Sequence, residues 1–307
     1  MDIVSLFSGA GGLDLGLKQA GNNIVWANDI DPDAVATYRK NIGDHIILAD
    51  IRDVDINTIP NADVVVGGFP CQGFSMANLK RNIADERNFL YVFFYQTIKH
   101  KQPKFFIAEN VKGILSLGGG SVVKQIIEDF NEAGYIVEVH KVNMADYGVP
   151  QHRERVIFLG QRKDLGEQML YRFPSTTHSK DGKSLPLWKS IKTALDETMI
   201  NVNDPNNYGS NYKFTPRNFT AHRTTDPNKP SPTILARGNG KGGVCAIPHY
   251  SGERRLTIRE SAVIQTFPND FIFIGKMGSC YRQIGNAVPV AFGKILGEEL
   301  IKVEQNL

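Results

Sequence analysis

The sequence predicts an α/β fold built on a doubly wound, mostly parallel sheet with a small inserted domain, and three observations predict it. Short β-branched or aromatic runs alternate with helix-length segments through the first 160 residues. Polar residues recur where those runs stop, and glycine-rich turns follow the first and the fourth. From about residue 161 the alternation gives way to Pro, Gly, Asn, Ser and Thr before a helical pattern returns near residue 272. The expected division is therefore 1–165 with 272–307 for the main domain and 166–271 for the insertion.

Taken in order, Ile3 to Phe7 is an apolar strand, and the turn Ser8-Gly-Ala-Gly-Gly12 leads into a helix from about Asp14 to Ala20. Ile24 to Ala27 is a second strand that stops at Asn28-Asp29, and Asp31-Pro32 is a helix start with proline in the first turn. Ile46 to Leu48 is a third strand, ending at Asp50. Val64, Val65 and Val66 form an unbroken β-branched run, the pattern of a strand buried on both faces. Phe105 to Ala108, Ile136 to Val142 and Val156 to Leu159 complete the strands, with helices expected at Phe89 to Lys99, Ser121 to Ala133 and Val290 to Val303.

Asp29, Asp50, Cys71 and Glu109 each follow a strand, so all four should gather along one edge of the sheet, where ligands of open α/β sheets bind. Cys71 stands apart from an ordinary packing cysteine. Gly67 and Gly68 let the backbone leave the sheet and Pro70 stiffens the turn, a setting that suits a presented nucleophile. The loop Gly9-Ala-Gly11-Gly12-Leu-Asp14 has the first two glycines of a dinucleotide fingerprint but Asp14 in place of the third. That points to a nucleoside ligand without a pyrophosphate, with Asp29 placed to accept from ribose hydroxyls.

Composition narrows the setting. No apolar run approaches the roughly 20 residues of a membrane span, and no basic stretch with a hydrophobic core opens the chain, so a soluble cytoplasmic protein is expected. Three well-separated cysteines, without a Cys-x-x-Cys pair, predict neither disulfides nor a metal site. The net charge of +3 is unevenly spread: residues 161–260 hold 16 Lys and Arg against 9 Asp and Glu, and the rest of the chain 19 against 23. A basic segment beside a slightly acidic one suits a polyanion-binding module.

FSGAGGL (Phe7 to Leu13), GGFPCQGFS (Gly67 to Ser75), ENV (Glu109 to Val111), QHRERVIFLG (Gln151 to Gly160), RRLTIRESAVIQTFP (Arg254 to Pro268) and RQIGNAVPV (Arg282 to Val290) together resemble the ordered motifs of the bacterial cytosine-5 DNA methyltransferases of restriction-modification systems. The resemblance covers both ends of the chain and leaves roughly Gln161 to Gly252 unmatched. It implies an S-adenosylmethionine-dependent, Rossmann-like methyltransferase fold with the insertion as target recognition domain. The cofactor would be S-adenosyl-L-methionine, over Phe7, Gly9, Ala10, Gly11 and Gly12, with Asp29 and Ile30 at the ribose and Asp50 and Ile51 on the adenine side. Pro70, Leu90, Asn286, Ala287 and Val288 would complete the pocket. Gly9, Gly11, Asp29 and Asp50 follow from the residues themselves; the others rest on the resemblance.

The chemistry makes sense of these residue types. Carbon 5 of cytosine is a poor nucleophile, so a thiolate, Cys71, adds to carbon 6 and makes carbon 5 able to take the methyl group. A carboxyl kept partly protonated by burial, Glu109, can assist at ring nitrogen 3. Arg153 and Arg155, two apart on an extended segment, face one way and could hold the base carbonyl, the carboxylate or a phosphate. The base must be flipped out of duplex DNA, which calls for DNA contacts; Gln72, Ser75, Arg217, Arg223, Arg237 and Lys241 are the candidates. A monomer paired with a restriction endonuclease and working at the nucleoid is what the resemblance implies. A transfer-RNA cytosine methyltransferase, a nicotinamide-dependent oxidoreductase and an inactive DNA-binding module remain as alternatives at this stage.

Overall fold

The computed structural model describes residues 1–69, 89–198, 204–206, 225–236 and 247–306. Its centre is a seven-stranded sheet of β1 (Asp2–Leu6), β2 (Asn23–Asp29), β3 (Ile46–Leu48), β4 (Val64–Gly67), β5 (Phe105–Val111), β6 (Tyr135–Asn143) and β7 (Glu154–Arg162). The spatial order is β3-β2-β1-β4-β5-β7-β6. Strands β1 to β5 pair in parallel, while β7 lies antiparallel between β5 and β6. The order reverses between β1 and β4, so the crevice at their carboxyl ends is the place this topology offers a ligand.

Alternation along the strands divides the core into two layers. Ile3, Val64, Val66, Ile107, Ile157 and Leu159 face one side, where α1 (Gly12–Gln19), α2 (Pro32–Asn41), α6 (Ile258–Ile264), α7 (Met277–Asn286) and α8 (Val290–Glu304) pack. Val4, Leu6, Val65, Phe106, Val156 and Phe158 face the other, covered by α3 (Phe89–Lys101) and α4 (Ser121–Glu132). The first layer continues through Tyr171, Ile191, Ile234, Ile247 and Leu256, so the described parts of the insertion share a core with the sheet. Among them is the short helix α5 (Ile191–Asp196).

Local chemistry sets the helix starts. Asp31 accepts from the amides of Asp33 and Ala34 at the start of α2, with Pro32 as its first residue. Thr257 and Glu260 form a reciprocal capping box on α6. Helix α1 packs backbone to backbone on α8: a Cβ at Gly16 would stand 2.3 Å from Val290 O. The helix begins at Gly12, two residues earlier than the sequence suggests, because Gly11 in the left-handed region (φ 85°) serves as its N-cap. Strand β5 runs past Ala108 to Val111, since Glu109, Asn110 and Val111 pair with Ile157, Val156 and Arg155 of β7. Among the described residues no helix is long and apolar enough to cross a membrane.

Candidate active site

The loop after β1 reverses direction through Phe7, a non-glycine residue at φ 57°, and Gly9, also at φ 57°. The neighbouring glycines differ in what they meet. A Cβ at Gly9 would touch nothing within 4 Å, whereas one at Gly12 would stand 2.3 Å from Val288 O. Gly9 therefore faces open space, and Gly12 brings the loop against Ala287 and Val288. Ala10 is buried, as are Ala287 and Val288, while Asn286 is exposed.

Asp29 closes β2 beside this loop, accepting from Gly9 N and from Asp31 N, each at 2.8 Å. Burial pushes its carboxyl above the usual range, against the pull of those amides. Each oxygen keeps a lone pair for a further donor. Ile30, next in sequence, is an apolar side chain left 62% exposed at this edge. Asp50 caps the turn Ile51–Asp53 and pairs with Arg52, whose hydrogen bonds hold its carboxyl below the usual range. Ile51 points into the core, so its side chain is withdrawn from any ligand at that edge. Leu90 is half-buried against the core at the start of α3.

Beneath the β1 loop lies a buried carboxylate. Asp14, in the first turn of α1, accepts from Ser5 Oγ at 2.7 Å and from Tyr38 OH at 2.9 Å. Burial raises its carboxyl from 3.8 to about 6 and pushes the Tyr38 hydroxyl up as well. Tyr38 OH also lies 3.0 Å from His45 Nε2, and burial with nearby Lys18 lowers that imidazole. The sequence signals this group only by an aspartate in the place of a fingerprint glycine.

On the other side of the crevice, Glu109 and Arg155 come together. Arg155 Nε lies 2.7 Å from Glu109 Oε1, both side chains being mostly but not wholly covered. Among the described residues that oxygen has no aligned hydrogen-bond donor, so the contact is ionic. A Cβ at Gly68 would stand 3.4 Å from Glu109 Oε2, which sets the carboxylate against the turn leaving β4. Asn110 holds the same turn, donating from Nδ2 to Phe69 O at 2.9 Å. Pro70, Cys71, Gln72, Ser75, Arg217, Arg223, Arg237 and Lys241 lie outside the described residues.

Arg153 has other partners than Arg155. It is buried and donates to Ile234 O at 3.3 Å and Gly285 O at 3.1 Å, while its Nε has no partner among the described residues. Burial and the adjacent Arg155 push its guanidinium down to about 9, which leaves it charged at neutral pH. Arg153 stands one residue before β7 and, two residues from Arg155, takes backbone carbonyls as partners where Arg155 takes a carboxylate. Next to it, Gln151 donates to Gln265 Oε1 at 2.8 Å and accepts from Ile234 N, and Gln265 donates to Ile284 O and Ala287 O. These buried amides fix the segment at Ile234 and the end of α7 to one another. Gln151 and Gln265 lie within the motif segments, but nothing in their spacing reveals the pairing.

Comparison with known proteins agrees with the fold. The family model for C-5 cytosine-specific DNA methylase matches residues 1–302. A Type II methyltransferase of Neisseria gonorrhoeae, M.NgoFVII, is 40% identical over 94% of this chain and 83% of its own length. M.FnuDI of Fusobacterium nucleatum, another Type II methyltransferase, is 37% identical over 98% of this chain and 94% of its own. Among solved structures, a DNA modification methyltransferase encoded within an E. coli prophage superposes with a TM-score of 0.73 at 24% identity, covering 99% of each chain. DNMT2 of Spodoptera frugiperda gives 0.71 at 20% identity over 98% of each. At those identities the two superpositions speak for the fold.

Proposed function

The chain belongs to the C-5 cytosine-specific DNA methylases and is a DNA cytosine-5-methyltransferase, and on that premise we propose that it methylates one short duplex sequence with S-adenosyl-L-methionine as donor. The observation that carries the proposal is the Glu109–Arg155 pair set against the turn that leads to Cys71, with Asn110 clamping Phe69 O two residues before the thiol.

The residues at the switch point fit the cofactor. Gly9 faces open space, Asp29 keeps acceptor capacity beside it, and exposed Ile30 offers an apolar surface for an adenosine ring. The loop Phe7 to Gly12, with Asp50, Leu90 and Asn286 to Val288 around it, would hold the molecule, whose sulfonium supplies an electrophilic methyl group. Ile51 contributes backbone alone, since its side chain is in the core.

Cys71 adds as thiolate to carbon 6 of the flipped cytosine, forming the C–S bond while the ring's electron pair moves toward carbon 5. Glu109 faces ring nitrogen 3, and Arg155 holds the Glu109 carboxylate and faces the base carbonyl. Carbon 5 would take the methyl group, with the electrons of the broken bond left on the donor sulfur as a neutral thioether, and loss of the carbon-5 proton to water lets the bond between Cys71 and carbon 6 break and the thiolate leave. Arg153 acts at one remove, by holding the backbone at 234 and 285. In this reading residues 1–165 and 272–307 carry catalysis, and 166–271 read DNA through Arg217, Arg223, Arg237 and Lys241, with Gln72 and Ser75 following the nucleophile.

A recognition segment of this size reaches few base edges, and Arg bidentate to guanine is the commonest specific contact, so the target is about four to six base pairs and rich in G and C. The Type II relatives support pairing with a restriction endonuclease, and action as a monomer on both strands of a palindrome in the cytoplasm suits that role. Bisulfite sequencing of DNA from cells expressing the protein tests the reading. One short motif with methylated cytosines is expected; methylation without a motif, or confined to transfer RNA, refutes it.

A further inference from the structure

Asp14 has no part in the chemistry above, yet it is a buried acid lying directly under the loop that would seat the cofactor. Its hydrogen bonds form a directed chain. Ser8 Oγ donates back toward Ser5, 3.0 Å from its Oγ and 3.1 Å from its carbonyl oxygen. Ser5 Oγ in turn donates to Asp14 Oδ1 at 2.7 Å. Tyr38 donates its only hydroxyl hydrogen to Asp14 Oδ2 at 2.9 Å, so His45 Nε2, at 3.0 Å, is the donor to the tyrosine oxygen. The Ser8 hydroxyl thereby spans Phe7, whose left-handed backbone is a conformation that persists in a non-glycine residue only where the surroundings enforce it. One residue later, Gly9 N is fastened to Asp29.

We propose that Asp14 is a positioning residue, which through Ser5 and Ser8 holds the Phe7–Gly9 turn in the shape that receives S-adenosylmethionine. The residue type follows from the donors. Two hydroxyls, from β1 and from α2, converge on it, and a carboxylate accepts both, whereas the amide of asparagine has a single acceptor oxygen. Its partners are hydroxyls, so it is built as an acceptor and not as half of an ion pair. A glycine here, as in a dinucleotide fingerprint, would leave Ser5 and Tyr38 without their acceptor. This inference rests on reading the β1 loop as the cofactor seat.

Calorimetric titration of the full chain with S-adenosylmethionine tests both, using wild type, Asp14→Asn, Ser8→Ala and the double variant. Each single variant should weaken cofactor binding about tenfold, the order of one hydrogen bond of the chain lost. The double variant should also lose about tenfold, because both substitutions break one chain and their effects do not add. In steady-state assays Asp14→Asn should raise KM for S-adenosylmethionine with a smaller change in kcat, a split that general loss of folded protein does not produce. Affinities of both single variants within twofold of wild type, or a double variant weakened multiplicatively, overturn the positioning role. Should Asp14→Asn fail to fold, Ser8→Ala alone decides, since it removes one hydroxyl from the loop. Wild type that fails to bind S-adenosylmethionine overturns instead the functional reading beneath the proposal.

Discussion

Replacing Asp14 with asparagine changes how stability depends on pH, and the size of the change follows from its burial. The carboxyl is raised from 3.8 to about 6 chiefly by desolvation, with the Ser5, Tyr38 and Ser8 hydroxyls pulling the other way. Because the folded value is the higher one, the native state holds a proton that the unfolded chain has already released between those two pH values. Stability from this group is full below 3.8 and is lost as pH rises through about 6. At 1.36 kcal/mol per pH unit the loss amounts to ~3 kcal/mol. Asparagine does not titrate, so subtracting the variant's urea-unfolding free energy from that of wild type at each pH isolates this one group. The difference should fall by ~3 kcal/mol between about pH 3 and pH 7 and flatten above. A difference that stays level across that range, or rises with pH, would refute the reasoning.

Three further outcomes are expected. Cys71→Ser should abolish methyl transfer and leave S-adenosylmethionine binding largely intact, and DNA carrying 5-fluorocytosine in the target should trap wild type covalently but not the variant. Asp29→Ala should weaken cofactor binding by about 1 to 3 kcal/mol, with DNA affinity little changed, while Arg237→Ala should show the reverse in the same titrations. Arg153→Met keeps the buried volume but strands the carbonyls of Ile234 and Gly285, so denaturation should reveal a loss of about 2 to 5 kcal/mol, the range for two buried groups left unpaired. A variant as stable as wild type would assign Arg153 to the substrate instead.

Much of the sheet was legible because local patterns carry it. Val64 to Val66 could only be a strand buried on both faces, and Asp31-Pro32 could only open a helix. The placing of Asp29 and Glu109 at one edge followed from strand polarity alone. Other features depend on contacts that sequence order does not encode. Strand β7 enters between β5 and β6 in the opposite direction, which turns Glu109 from a residue beyond a strand into one within it and delivers Arg155 beside it. The Gln151–Gln265 bond joins residues 114 apart, and the carbonyls that receive Arg153 lie 81 and 132 residues further on. The role of Asp14 is hidden in another way: in the sequence it is a missing glycine, and only Ser5 and Tyr38 reveal what an acid does there.

The contact between Gly12 and Val288 also orders the protein's making. The β1 loop is synthesised first, but the backbone against which it leans, and the α8 surface that receives Gly16, emerge some 270 residues later. A nascent chain can pair β1 with β2 and β4 long before that, leaving the loop without its far wall. Closure between such distant segments is the slow part of a topology like this one. Methyl-donor binding should therefore appear late during translation, as one event with the docking of the last helix, and not grow in step with the sheet.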